Sequence, residues 1–239
     1  MGDVADRDEK EAMLARVLGL EFNKARIKLM ALIPALEAFV REVSPEFWNE
    51  HSTALRSGIA PLLAKFFLDQ AEDMLDDYAF LGVDWGLVNT AAADWARKYT
   101  FDLVKGITDT SRATLQKLIP QFFENQWTQG QLREALSPLF GVVRAEMIAR
   151  TEVTRAAAQG EEETARLLAE QGIQMIPVWN TREDEIVCPI CGKDGLSQRK
   201  ADGVNGEGRP YWTLDGVEYT MPAHPRCRCW ETHELPEVD

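Results

Sequence analysis

All four cysteines of this 239-residue chain lie in its last quarter, as two pairs. Cys188 and Cys191 stand in "VCPICG"; Cys227 and Cys229 stand in "MPAHPRCRCW", with His224 three residues ahead of them. A two-residue gap between cysteines lets both thiolates reach one ion from a tight turn, and His224 to Cys227 repeats that gap. Cys188, Cys191, His224, Cys227 and Cys229 are therefore candidate metal ligands, five donors where a structural zinc needs four. In a straight strand Cys227 and Cys229 would share a face about two rises apart, too far to grip one ion unless the backbone bends. The spacing favours Cys188, Cys191 and His224 with one of Cys227 or Cys229. Two disulfides or free buried thiols are the competing readings, and a reducing compartment weighs against the first. Zinc saturated by four Cys or His ligands has no open position for water, so the metal would be a staple and not a catalyst.

Other chemistry is sparse, and no residue stands out as catalytic. There is no Gly-x-Ser-x-Gly elbow and no phosphate-cradling glycine loop. His51 and His233 read as polar, surface-like positions. "IARTEVTR" places Arg150, Thr151, Glu152 and Arg155 on one helix, either as a solvated face or as a polar face docking onto the cysteine-bearing end. At about 100° per residue Arg150 and Thr151 share a side with Val143 and Met147, a candidate buried stripe that also takes in Leu168, while Glu152 points away. An arginine on a buried stripe needs a partner. Asp184 is the expected one, in a mostly buried pair.

The elements that position these groups read as helix from about Glu9 to Gly172. One stripe runs through Met13, Leu14, Val17 and Leu18 to Ile27, Leu29 and Met30, with a break expected at Pro34. A second run starts near Ala60 and ends at Gly82; a third covers residues 89–106. Asp109 or Thr110 would cap a further helix, and Thr128 another. A long helix opens after Gly141 and closes at Gly172, with Gly160 as a weak point inside it. From Met175 the texture changes: "MIPVWNT" has strand character, and Asp215-Gly216 sits between β-rich runs as a hairpin turn. The expected fold is mainly α with a small C-terminal α+β module stapled by zinc, divided as a helical region 1–135 and a module 136–239. That division implies that a fragment from residue 136 onward keeps its metal, while Trp48, Trp85, Trp95 and Trp127 upstream offer a partner surface.

Hydrophobic content of 45% and charged content of 27% are ordinary for a globular protein. A net charge of −13, spread over both halves, argues against a surface built mainly to grip nucleic acid, leaving only a local basic patch around Arg226 and Arg228. The acidic start "MGDVADRDEKEAM" predicts neither a secretory signal nor myristoylation, and no apolar run is long enough for a membrane span.

Taken in order, "RAEMIARTEVTRAAAQG", "PVWNTREDEIVCPICG" and "MPAHPRCRC" resemble the phage head morphogenesis family, the Mu F-like minor head proteins. The matching positions are Arg150, Thr151, Glu152, Trp179, Thr181, Asp184, Cys188, Cys191, Pro222, His224, Pro225, Cys227, Arg228 and Cys229, within about residues 140–230. The resemblance implies a minor component of a tailed-phage head or phage-like particle, associated with the portal vertex in procapsid assembly and with DNA packaging or delivery. Its partners would be the portal protein and other capsid components, with transient contact to phage DNA and none to membrane. It would reside in the virion and, during assembly, in the host cytoplasm. Some relatives carry a toxin or nuclease domain after this module; ten residues follow Cys229, so none is expected here. The alternative is an enzyme acting on nucleic acid or nucleotides, with the Arg-Thr-Glu helix and the cysteine-bearing end forming a cleft. The two differ in whether Arg150 and Glu152 face a solvent-filled pocket or are consumed in internal pairs.

Overall fold

The computed structural model describes residues 3–4, 6–32, 45–78, 84–182 and 184–236. Five α-helices carry most of them: α1 (Arg7–Leu32), α2 (Pro45–Asp77), α3 (Trp85–Glu124), α4 (Gln129–Leu136) and α5 (Val142–Glu170), with a 3-10 turn at Ser137–Leu139. Short strands follow: β1 (Ile176–Asn180), β2 (Gly203–Val204), β3 (Pro210–Leu214), β4 (Val217–Tyr219) and β5 (Trp230–Glu234). The fold is mainly helical with a small C-terminal strand region. The expected Pro34 break and Gly82 cap lie outside the described residues.

The chain forms two compact units, one from residues 1–11, 63–95 and 150–239, the other from 12–62 and 96–149. Helices α1, α2, α3 and α5 each contribute a segment to both. In the second unit α1 buries Leu14, Leu18, Phe22, Ala25 and Leu29, a spacing of three and four that selects one helical face. Met13 and Ile27, expected on that stripe, are exposed. The facing stripe of α2 is Trp48, His51, Leu55 and Ile59. His51 is thus a core residue, packed among Phe22, Phe47 and Phe140 at ring centroids of 6.2–6.4 Å, and not the surface position its polar neighbours suggested.

Two helix boundaries were expected where none exists. Pro45 begins α2, the position where a missing N–H costs nothing, and the helix runs on through Pro61. Helix α3 runs unbroken through Gly106, Asp109 and Thr110, so neither of the last two caps a helix. Its buried positions Val104, Ile107, Thr108, Ser111 and Leu115 carry one stripe straight across the supposed break. Thr128 does cap α4, in a capping box with Gln131.

In the first unit, Phe67, Ala71, Val88, Ala92 and Leu167 form one apolar cluster. A second surrounds Trp179 and Trp212, whose rings meet edge to face at 5.1 Å. Gly160 sits where α5 meets α2: a methyl there would lie 2.4 Å from the Phe67 carbonyl oxygen. What looked like a weak point in a helix is the requirement of a close crossing. Strands β1 and β5 pair antiparallel from Ile176–Glu234 to Asn180–Trp230, and β2, β3 and β4 form a separate antiparallel sheet. Asp215 and Gly216 both have positive φ, as the two-residue turn between β3 and β4 demands.

Candidate metal centre

The second apolar cluster contains the cysteines. Cys191, Cys227 and Cys229 are buried and Cys188 is half-buried, all four as free thiols. Cys188 follows a turn in which the Asp184 carboxylate accepts from the Ile186 N–H. The backbone then wraps tightly, Cys191 N–H and Gly192 N–H both donating to the Cys188 carbonyl. On the other limb Arg226 adopts a left-handed backbone, φ 67°, and donates its N–H to Thr151 Oγ1 at 2.9 Å, while Cys227 N–H returns to the His224 carbonyl. The Cys227 and Cys229 sulfurs, with that of Cys191, lie within 4.8 Å of one another, closer than a straight strand was expected to bring them.

The five donors form two overlapping triads that share Cys191: Cys188–Cys191–His224 and Cys191–Cys227–Cys229, ligand atoms within 4.8 Å of one another in each. Cys188 Sγ lies 3.0 Å and Cys191 Sγ 3.5 Å from His224 Nε2, and Cys191 Sγ lies 4.0 Å from Cys227 Sγ. Zinc–sulfur bonds of about 2.3 Å at tetrahedral angles put sulfurs about 3.8 Å apart, so these are distances at which one ion can be gripped. The His224 tautomer fits as well. Its Nδ1 faces the Pro225 carbonyl at 2.8 Å, and since a carbonyl only accepts, Nδ1 carries the proton and Nε2 offers its lone pair to the sulfurs.

The electrostatics ask for a cation. Hydrogen bonds from the Cys191 and Cys229 thiols lower the Cys227 pKa and favour its thiolate. Hydrogen bonding to Cys227 and Cys229, with burial, pushes Cys191 up, and Cys229 is raised by Cys227 and burial despite its own hydrogen bond to Cys191. Three sulfurs so close cannot all shed their protons unless a positive ion replaces them. Burial opposes charge on Cys188 and His224, but the Cys191 backbone and thiol hydrogen bonds lower the first, and the Pro225 carbonyl and nearby thiolates raise the second. The cavity these donors line has about 30 Å³, room enough for an ion.

The Arg-Thr-Glu helix meets this centre differently from expectation. Arg150 pairs with Glu11 at 3.1 Å, not with Asp184, and its side chain is 40% exposed. Asp184 instead takes Arg228 at 2.6 Å. Glu152, expected to point away from the buried side, is buried and paired with Arg155 at 3.3 Å. Val143, expected in the stripe, is exposed; the buried positions there are Ala145, Ala149, Val153 and Ala156. The residues that dock onto the cysteine-bearing end are Thr151, through Arg226 N–H, and Thr154, whose hydroxyl donates to the Cys227 carbonyl at 2.9 Å.

His233 is also buried, not surface-like, with Nδ1 3.3 Å from Glu161 and Nε2 3.4 Å from Glu231. Gln70 donates to Glu161 at 3.0 Å, and Arg209 bridges Glu162 and the Met221 carbonyl. Burial pushes the Glu231 carboxyl well up, with Glu162 and Glu161 adding repulsion. This polar core inside the first unit carried no local signal: its members are scattered over more than 160 residues. No protein-family model, curated protein or solved structure matches the chain.

Proposed function

We propose that this chain is a structural and assembly protein, a minor head component of a tailed phage or phage-like particle acting at the portal vertex, whose C-terminal module is stapled by one zinc ion. The observation that supports a staple most is the convergence of five Cys and His donors on a cavity of about 30 Å³. Such a donor set can fill all four zinc positions and leave no site for substrate or activated water. Cys188, Cys191, His224, Cys227 and Cys229 would supply the ligands, the fifth donor standing by. Zinc suits the set because thiolate and imidazole select it over hard cations. The head-protein reading draws on the ordered motif blocks from Arg150 to Cys229. Internal consumption of Arg150 by Glu11 and of Glu152 by Arg155 favours it over the enzyme reading, which needs those side chains at a pocket.

The zinc is tested by elemental analysis of protein purified without added metal, where about one zinc per chain is the expected result. Absence of metal with all four thiols titrating freely would refute it. The assembly role is tested by tagging the chain in its particle-forming host. It should co-sediment with heads and label the portal vertex in electron micrographs; a chain wholly absent from particles that cleaves nucleic acid would replace this reading with the enzyme one.

A further inference from the structure

Arg7 lies 222 residues from Cys229, whose carbonyl it touches. It stands in the first turn of α1 with its side chain 1% exposed. Its Nε donates to Asp3 at 2.7 Å, Nη1 to Thr154 Oγ1 at 2.8 Å, and Nη2 to the Cys229 carbonyl at 3.1 Å. Thr154, accepting from Arg7, donates in turn to the Cys227 carbonyl. One guanidinium and one hydroxyl therefore fix the backbone of both cysteines in the Cys227-Arg228-Cys229 limb. Asp3 and Glu11 (3.8 Å from Nη1) offset the buried charge, and Asp3 also holds Arg182, which lines the cavity. An arginine needed only to anchor the start of α1 could spend its donors on carboxylates. This one spends one on the metal limb directly and a second on Thr154, which holds the same limb.

We propose that Arg7 is a positioning residue for the metal centre: acting through Thr154 and the Cys229 carbonyl, it sets the two sulfurs of the Cys227–Cys229 limb where an ion can take them. The inference rests on the metal reading above. The N-terminal turn is then a latch on the metal, and outer-shell partners of metal ligands typically change affinity by about 10–100-fold.

The test uses the full chain, loaded with zinc or with cobalt(II) as a spectroscopic reporter of thiolate ligation. Arg7→Gln and Thr154→Val should lose zinc to a chelator about tenfold faster or more, and shift or weaken the thiolate-to-cobalt charge-transfer band, at temperatures where circular dichroism shows the fold intact. Arg7→Lys should recover only part of this, because an ammonium cannot span Thr154 and the carbonyl as a planar fork does. Lys10→Met is the control: Lys10 is buried in the same turn but pairs with Asp69 at 3.2 Å. It should lower the melting temperature and leave band and extraction rate alone. If Arg7→Gln does not fold, Thr154→Val decides. Parental retention and spectrum in the folded variants overturn the inference and leave the metal reading standing, as does equal acceleration in Lys10→Met. A parent chain that binds no metal overturns both.

Discussion

His51 shows how a single residue carries a pH dependence that its neighbours in sequence conceal. "NEHST" reads as surface, yet the α2 stripe of Trp48, Leu55 and Ile59 includes position 51 and buries it. Burial is the main reason its pKa falls to about 4, with Glu21 opposing and Arg144 and Lys28 reinforcing. The folded chain refuses a proton that the unfolded chain accepts below about 6.5. Stability should therefore be intact above that pH, fall as pH drops towards about 4, and change no further from this source below it. That fall from 6.5 to about 4 is worth at most about 3.4 kcal/mol. His51→Phe, placed among Phe22, Phe47 and Phe140, removes the proton acceptor. Urea titrations at pH 7 and pH 4.5 should show a smaller loss for the variant than for the parent; parallel losses would refute the assignment. The cysteines were legible where His51 was not, because ligand spacing is a local property and burial is not.

At the scale of elements, the sequence was most readable where one chain segment sets its own geometry. The Asp215-Gly216 turn, the Thr128 cap and the close of α5 just before Gly172, whose φ is 86°, each follow from residues within a few positions. It misled where break signals met a continuous apolar face. Gly106 and Asp109 suggest an interruption, but Lys105 and Asp109 pair across a helical turn at 3.3 Å and the buried stripe passes beneath them. A glycine's cost of about 1 kcal/mol in a helix is small beside burial of several side chains. Gly160 is the opposite case, a glycine that the packing requires. Added to α5, a methyl would meet the Phe67 carbonyl at 2.4 Å and the Ala71 nitrogen at 3.3 Å, both backbone of α2, so no side chain can rotate out of the way. Gly160→Ala should raise helix propensity yet destabilise by about 1–3 kcal/mol, the usual cost of overpacking. A thermal melt showing equal or greater stability would mean that α2 and α5 pack less closely than described.

For the whole molecule, the informative fact is that the unit bearing the candidate metal centre is assembled from three stretches of chain, residues 1–11, 63–95 and 150–239. The matched motif positions, Arg150 to Cys229, all fall in the third stretch, which is why the sequence suggested a self-sufficient module from residue 136. The contacts argue the reverse. Phe67, Ala71, Val88 and Ala92 cover Leu167 of α5; Gln70 satisfies Glu161; Tyr78 donates its hydroxyl to the His233 carbonyl; Arg7 holds the Cys229 limb. None of these partners is local in sequence, so no pattern within residues 136–239 could have announced them. A fragment of residues 136–239 leaves that apolar face of α5 in water and Glu161 without Gln70. Each large side chain so exposed costs about 1.5–3 kcal/mol, against a total stability of order 5–15 kcal/mol for a domain. Five soft donors would still attract zinc, whose binding can offset part of the loss. The ion cannot replace a missing helix. The fragment should therefore give a non-cooperative melt by circular dichroism and surrender zinc to a chelator far faster than the full chain. A chain that also supplies residues 1–95 should restore both. A fragment that melts cooperatively and retains zinc like the full chain would show that the third stretch folds alone, and that the other two merely rest against it.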